Sequence, residues 1–194
     1  MMKKIIVCWL AVVLTILGVA GSARTANSPP AVGGTLPDIK LPIPNDSAEK
    51  NYLDLGFFGF GTFKIPEIKA KLVIIEIFSM YCPYCQGEAP NVNQLYAKID
   101  DNPSLKGKIK IIGIGAGNTS YEVGTFKKKY NVPFPLFADG DYVIHKIVGE
   151  VRTPYFIGVK INTDGTNRVI YSKVGTLGGV DDFLSTLIKL SELQ

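Results

Sequence analysis

The chain has 194 residues, of which 46% are hydrophobic and 20% are charged, a composition typical of a folded globular protein. This length suits one main domain with additions. The formal net charge of +4 and the scattered positions of the lysines argue against nucleic acid or an anionic surface as a partner.

The N-terminal residues have the pattern of an export signal. Lys3 and Lys4 precede an uncharged run over residues 5–20, and small residues follow it at 21–23. The run is shorter than the roughly 20 residues that a membrane-spanning helix needs. We predict a signal peptide over residues 1–23, with a retained membrane anchor as the alternative, and hence an exported protein in the periplasm or another extracytoplasmic compartment.

Export also determines which cysteines the mature protein keeps. The sequence has three, and cleavage of the signal would remove Cys8 and leave Cys82 and Cys85. Disulfides form and persist outside the cytoplasm. A bond between two cysteines so close in sequence restricts the unfolded chain very little, because loop entropy grows with the number of residues enclosed. We therefore expect the pair to serve chemistry rather than stability.

The next segments are rich in proline, glycine and aromatic residues. Residues 24–35 predict a flexible linker, and residues 36–194 then form one domain. Within "LPDIKLPIP" we predict a short edge strand, because its prolines limit it to a sheet margin. The alternation of aromatics and glycines between Tyr52 and Phe63 predicts a glycine-bent hairpin that buries its rings, with a partner-docking surface as the alternative.

The segment "KLVIIEIF", residues 71–78, predicts a central strand that is buried on both faces. Glu76 interrupts its apolar run. A buried lone carboxylate is costly unless it is hydrogen-bonded or protonated, so we expect its pKa to be raised toward neutrality. Glu76 would then accept the proton of Cys85 during disulfide exchange. The alternative is a solvent-facing glutamate on a strand that is exposed on one side.

Cys82 and Cys85 lie at the start of a predicted helix. Pro83 suits the first helical position, and Pro90 is expected to kink the helix rather than prevent it. Unpaired backbone N–H groups and the helix dipole stabilise an anion at this end, which lowers the pKa of Cys82 below its free value of about 8.5. We predict that Cys82 attacks a partner disulfide and that the less exposed Cys85 resolves the mixed disulfide.

Strands and helices alternate through the rest of the chain, and a β-hairpin and a helix close it. This order of elements predicts an α/β fold. The predicted elements are strands at 108–115 and 134–138, helices at 121–131 and 141–149, hairpin strands at 153–161 and 168–175, and a final helix at 180–190.

Two other uses of the cysteine pair fit the sequence less well. Structural zinc needs four ligands, and the mature chain offers two cysteines and His145, which we expect on a helix surface. We predict no metal and no cofactor. A peroxidatic cysteine is disfavoured because the pattern P-x-x-x-T-x-x-C is absent, since Ile75 stands seven positions before Cys82.

Taken together, these features make the sequence resemble the thioredoxin superfamily, and within it the exported proteins of the TlpA/ResA type. The resemblance covers about residues 36–190. It implies a thioredoxin-like fold, with a central mixed sheet flanked by helices and an N-terminal strand extension. The features that carry it are Glu76 in an apolar strand, the motif "CPYC", the following Glu88 and Pro90, and Thr153–Pro154 before the final hairpin.

The resemblance also implies a substrate site around the cysteines. It implies a cis Pro154 beside the dithiol, with Thr153 holding the substrate backbone. Tyr81, Pro83 and Tyr84 would complete the substrate-binding residues. Tyr81 replaces the tryptophan usual in the family, and Pro83–Tyr84 is a dipeptide better known from glutaredoxins. The direction of electron flow therefore stays open.

The function implied by the resemblance is that of a thiol-disulfide oxidoreductase that reduces cysteine pairs of extracytoplasmic proteins, including apocytochromes c. Its partners would be protein dithiols and disulfides, with a membrane thiol transporter as electron donor, and we expect a monomer. The alternatives are a disulfide-forming oxidant, a copper chaperone, and a redox-silent interaction module that uses Phe57 to Phe60. Related copper-binding Sco proteins have a spacing one residue longer than the cysteine pair here.

Overall fold

The computed structural model of the chain describes residues 28–56 and 61–193. The predicted signal peptide, Cys8 and Phe57 to Phe60 lie outside the described residues, so the predictions made for them stay predictions. Among the helices in the described ranges, none combines the length and the apolar character that crossing a membrane requires.

The central sheet has five strands in the order β5-β4-β3-β6-β7. The strands are β3 (Leu72–Phe78), β4 (Ile109–Ala116), β5 (Leu136–Asp139), β6 (Tyr155–Ile161) and β7 (Asn167–Val174). β3, β4 and β5 are parallel, whereas β6 pairs antiparallel with both β3 and β7. The mixed sheet is therefore confirmed, and every residue of β3 is buried, as its apolar sequence predicts.

Helices cover both faces of this sheet. Buried residues of α2, α3 and α5 pack against one face, and buried residues of α1 and α4 lie in the core on the other. The α/β architecture with flanking helices is therefore confirmed. The helices are α1 (Ser47–Leu53), α2 (Pro83–Asp100), α3 (Ser120–Tyr130), α4 (Val143–Ile147) and α5 (Val180–Ser191).

The predicted N-terminal edge strand forms, but in a sheet of its own. β1 (Lys40–Pro42) pairs antiparallel with β2 (Thr62–Lys64). Leu41 and Phe63 point inward from this pair and are buried in the core that also contains α4. This small sheet is the strand extension that precedes the central sheet.

The hairpin predicted between Tyr52 and Phe63 is wrong in its first part. Tyr52 and Leu53 end helix α1, which begins because the Asp46 side chain accepts a hydrogen bond from the backbone N–H of Glu49 at 2.9 Å. Leu53 is completely buried. The N-cap and the burial of Leu53 outweigh the aromatic alternation as determinants of local structure.

Gly33 and Gly34, near the end of the predicted linker, lie against the domain. The N–H of Gly33 donates to the carbonyl of Val169, and the N–H of Val169 donates to the carbonyl of Gly34, both at 2.8 Å. The N–H of Leu36 donates to the Asn167 side chain at 2.8 Å. The segment thereby covers part of the outer edge of β7. Unpaired backbone N–H and C=O groups at such an edge could otherwise pair with a strand of another chain.

Candidate active site

The loop between β3 and α2 holds the cysteine pair at the carboxyl end of the central strand. Cys82 is the N-cap of α2 and Pro83 its first residue, as predicted. The N–H of Cys82 donates to the carbonyl of Ser79 at 3.0 Å. The N–H of Met80 donates to the side chain of the buried Asn118 at 2.8 Å, which ties this loop to the end of β4.

The loop before β6 approaches the first cysteine. The Thr153–Pro154 peptide bond is cis, as the family resemblance implies. The carbonyl oxygen of Thr153 accepts a hydrogen bond from the Cys82 thiol, with a sulfur-to-oxygen distance of 3.3 Å. The N–H of Gly175 donates to the carbonyl of Pro154 at 2.9 Å and links this loop to the end of β7. The fold thus joins Thr153 and Cys82, which are distant in sequence.

Cys82 is the more acidic of the two thiols. Partial burial raises its pKa, but hydrogen bonds from the side chains of Thr153 and Cys85 and from the backbone N–H groups of Cys85 and Tyr84 lower it by more. The net pKa of Cys82 is therefore below its ordinary value. Two of these donors belong to the first turn of α2, which agrees with the expected effect of the helix N-terminus.

Cys85 behaves in the opposite way. It is completely buried, whereas Cys82 is partly exposed, and both are free thiols. Burial raises the pKa of the Cys85 thiol, and the negative charge of Glu76 raises it further, against a lowering hydrogen bond from the backbone of Ser79. Cys85 therefore stays protonated under conditions in which Cys82 ionises.

The difference between the two thiols predicts their alkylation. The reaction of Cys82 with iodoacetamide should follow a pKa lower than that of a free cysteine and exceed the reaction of Cys85 by at least roughly tenfold at pH 7, because only the thiolate is nucleophilic. The measurement is the rate against pH for the Cys85→Ala and Cys82→Ala variants, each with one active-site thiol. If both variants titrate like free cysteine, the assigned thiol roles are wrong.

Glu76 lies beneath the dithiol, within β3. It is 3% exposed, and its Oε1 atom has no hydrogen-bond partner among the described residues. Burial raises the pKa of Glu76 to about 8, with further contributions from the negative charges of Glu88 and Cys82. The predicted buried carboxylate is confirmed, and the alternative of a solvent-facing glutamate is wrong. Its part in proton transfer stays a prediction.

Glu88 has a structural role that was not predicted from the sequence. It is buried one turn beyond Cys85, on the same side of α2. Its Oε1 atom accepts a hydrogen bond from the N–H of Leu177 at 2.8 Å, and its Oε2 atom accepts one from Asn91 at 3.3 Å. Glu88 therefore holds the loop before α5 against the helix that carries the dithiol. In the sequence, the spacing of three residues between Cys85 and Glu88 was the signal that could have placed Glu88 on the same side of the helix as Cys85.

Exposed side chains surround Cys82 on the outer surface. Tyr81 is 64% exposed and Tyr84 is 73% exposed, and Pro83 between them also faces solvent. The hydroxyl of Tyr81 donates to the carboxylate of Glu122 in α3. The predicted substrate-binding residues are thus accessible next to the Cys82 sulfur, and Tyr81 is held in place from the neighbouring helix.

His145 lies on α4, as expected, and is half-buried. Its Nε2 atom is 2.8 Å from the carbonyl oxygen of Val151. In the ranges that the structure describes, no three His, Cys, Asp or Glu side chains are grouped so as to hold a metal ion. His145 therefore has a local structural contact within the loop that leads to Thr153.

Similar proteins share both sequence and fold with this chain. A ResA thiol-disulfide oxidoreductase from Bacillus thuringiensis subsp. konkukian is 31% identical over 91 residues, covering 47% of this chain and 50% of the relative. The ResA of Oceanobacillus iheyensis is 22% identical over 148 residues, covering 75% of this chain and 69% of the relative. This chain thus spans about half the length of the first of these relatives.

A solved structure and a family model complete the comparison. The thioredoxin domain of a thiol-disulfide oxidoreductase from Bacteroides vulgatus matches with a TM-score of 0.57 at 15% identity, over 83% of this chain and 98% of that domain. This likeness shows a shared thioredoxin-like fold. The AhpC/TSA family model matches residues 32–170, which is more than half of the sequence. The chain therefore belongs to the AhpC/TSA family and has a thioredoxin-like fold.

Proposed function

We propose that the protein is an exported thiol-disulfide oxidoreductase whose reactive group is the Cys82–Cys85 dithiol. The observation that carries this proposal is the difference between the two thiols. Cys82 is partly exposed with a lowered pKa, and Cys85 is buried with a raised pKa. An exposed thiol that ionises and a buried thiol that stays protonated until the mixed disulfide has formed suit the two steps of disulfide exchange.

In the first step, the Cys82 thiolate attacks one sulfur of a partner disulfide. The partner's S–S bond breaks, a bond forms between Cys82 and the partner, and the partner's other sulfur leaves as a thiolate that takes a proton from solvent. In the second step, Cys85 loses its proton and attacks the Cys82 sulfur. The partner leaves with both of its cysteines reduced. Cys82 and Cys85 are left as a disulfide, having given up the two electrons that the partner gained.

The proton of Cys85 would pass to Glu76. With a pKa of about 8, roughly one tenth of Glu76 is ionised at pH 7. The negative charge on Cys82 is one of the causes that raise this pKa. Formation of the mixed disulfide removes that charge, so Glu76 ionises more readily at the step where Cys85 must be deprotonated. This timing supports Glu76 as the general base.

The partner's backbone would bind along Thr153 and Pro154. The Thr153 carbonyl lies 3.3 Å from the Cys82 sulfur, so a chain that places its disulfide at Cys82 passes directly over this loop. Tyr81, Pro83 and Tyr84 would contact the same partner, because all three are exposed beside the reactive sulfur. Aromatic side chains supply contact area with little loss of conformational freedom.

The proposed substrates are disulfides of extracytoplasmic proteins, and the cysteine pairs of apocytochromes c are the specific candidate. The predicted export signal and the similarity to proteins named ResA support this assignment. Each turnover leaves the protein oxidised, so a donor of two electrons must restore the dithiol. A membrane thiol transporter is the proposed donor, and a monomer is the proposed working form.

The equilibrium reduction potential of the Cys82–Cys85 couple tests the direction of the reaction. We expect a value near the thioredoxin end of the range, about −270 mV, and measurable reduction of insulin disulfides by the reduced protein. A value near −120 mV would instead assign the protein as a disulfide-forming oxidant. If the couple neither equilibrates with a thiol buffer nor reduces insulin, the proposed function is wrong.

A further inference from the structure

A cavity lies at the end of the sheet opposite the dithiol. β5 pairs only with Gly113 to Ala116 of β4, so the first half of β4 has no strand neighbour on that side. Tyr52 of α1 fills part of the gap, and its hydroxyl accepts a hydrogen bond from the N–H of Ile111 at 2.7 Å. A cavity of about 290 Å³ remains beside it.

Lys110 is the unusual residue in this cavity. It is the only ionisable residue of β4, and the rest of this strand is apolar. It lies on the same face of the strand as the buried Ile112 and Ile114, because every second residue of a strand faces the same side. Lys110 is 5% exposed, and its Nζ atom lies 5.9 Å from the centre of the Tyr52 ring. Burial of an ammonium group without a counter-charge is unfavourable, because the group loses hydration that nothing replaces. Packing of the core therefore does not explain a lysine at this position.

The charges around Lys110 are not balanced. Lys106 lines the same cavity but already pairs with Asp100 at 3.1 Å. Within the described part of the chain, neither Lys110 nor Lys69, which also lines the cavity, has a carboxylate within ion-pair distance. Asp54 is the one further carboxylate in the lining. Two amines therefore face one carboxylate.

The electrostatic effect on Lys110 agrees with this deficit of negative charge. Burial lowers the pKa of Lys110, the carboxylate of Asp54 opposes that effect, and the charge of Lys69 adds to it. An anion bound between the two amines would supply the missing charge. It would also replace the water that the ammonium group has lost on burial.

We infer that this cavity binds a small anion whose carboxylate or phosphate group lies against Lys110 and Lys69. The rings of Tyr52 and Tyr96, whose centres are 5.8 Å apart, offer an apolar surface for the rest of the ligand. The volume of about 290 Å³ is just below the range for small-molecule sites, about 300–1,000 Å³. The ligand is therefore a small molecule rather than a polymer.

The site is independent of the proposed redox function. Lys110 and the active-site end of β4 are six strand positions apart, which corresponds to roughly 20 Å at about 3.3 Å per residue. Loss of the cavity amine should therefore leave thiol exchange at Cys82 unchanged. This separation allows the two proposals to fail separately.

Titration of the purified full chain with sodium phosphate and with sodium benzoate tests the inference, with sodium chloride at equal ionic strength as the reference. We expect saturable shifts of the Ile111 and Tyr52 amide resonances, and a rise in Tm of about 3–5 °C at roughly ten times the Kd. Lys110→Met keeps an unbranched side chain of nearly the same length without the charge and should weaken binding by at least tenfold. The matched control, Lys173→Met on the exposed part of β7, should bind like the unchanged protein.

The two probes separate the sources of the anion. A response to benzoate alone indicates an organic carboxylate that uses the tyrosine rings, and a response to phosphate alone indicates a free or esterified phosphate. If neither anion gives a saturable response, or if Lys110→Met responds like the unchanged protein, the cavity holds only water and the inference is wrong. Should Lys110→Met not fold, Lys69→Met at the exposed rim provides the same comparison.

Discussion

Replacing Cys85 with alanine should trap partner proteins in a covalent complex through Cys82. The first step of exchange needs only the Cys82 thiolate, which stays accessible in this variant, whereas the second step needs the thiol that has been removed. The mixed disulfide therefore accumulates instead of being resolved. Non-reducing electrophoresis of an extracytoplasmic extract, followed by identification of the linked cysteine, measures the outcome.

The reciprocal variant provides the control. Cys82→Ala should lose thiol exchange by roughly 10³-fold or more, because the remaining Cys85 is buried with a raised pKa and is not available as a nucleophile. The double variant should trap nothing. Complexes linked through Cys85 in the Cys82→Ala protein would reverse the assigned roles of the two thiols.

Replacing Glu76 with leucine should stabilise the reduced protein and change how its stability depends on pH. The folded-state pKa of about 8 lies above the ordinary value of 4.5, so between these values the unfolded chain releases a proton that the folded protein retains. The free energy of unfolding of the unchanged protein therefore falls as pH rises from about 4.5 to 8. At pH 7 this loss amounts to roughly 3 kcal/mol, at about 1.36 kcal/mol per pKa unit.

The test compares urea unfolding of the two proteins at pH 4 and pH 7, with a reductant present. Any effect of leucine on packing is common to both pH values, so the difference between them isolates the ionisation of Glu76. Asp141→Asn, which changes an exposed carboxylate, should keep the pH dependence of the unchanged protein. An equal difference in stability between Glu76→Leu and the unchanged protein at both pH values would contradict the raised pKa.

The elements around the reactive cysteines were predictable because their signals are local. The apolar run of β3 and the proline after Cys82 place a buried strand directly before a helix, and the structure has both. Glu76 stood out for the same reason, since one carboxylate in a buried strand is a visible exception. Burial of that strand then required the raised pKa.

Helix α1 was missed and the start of β5 was misplaced, because the signals for them are short or come from distant residues. Helix α1 has only seven residues, and it depends on the Asp46 cap and on the burial of Leu53 in the core. The strand predicted at residues 134–138 is observed as β5, Leu136–Asp139. Its start follows Pro135, which has no N–H to donate to a neighbouring strand.

By itself, the sequence determined the order of strands and helices from β3 onward, the position of the dithiol at a helix N-terminus and the presence of a carboxylate in the central strand. The family resemblance also placed Thr153–Pro154 beside the dithiol, whereas the tertiary structure alone decided the contact of Glu88 with Leu177 and the position of Lys110 at a cavity left by the short β5. Periodicity and capping depend on neighbours along the chain, so they can be seen in a sequence. Contacts between residues 71 or 89 positions apart depend on how the whole sheet packs, and no local pattern records them.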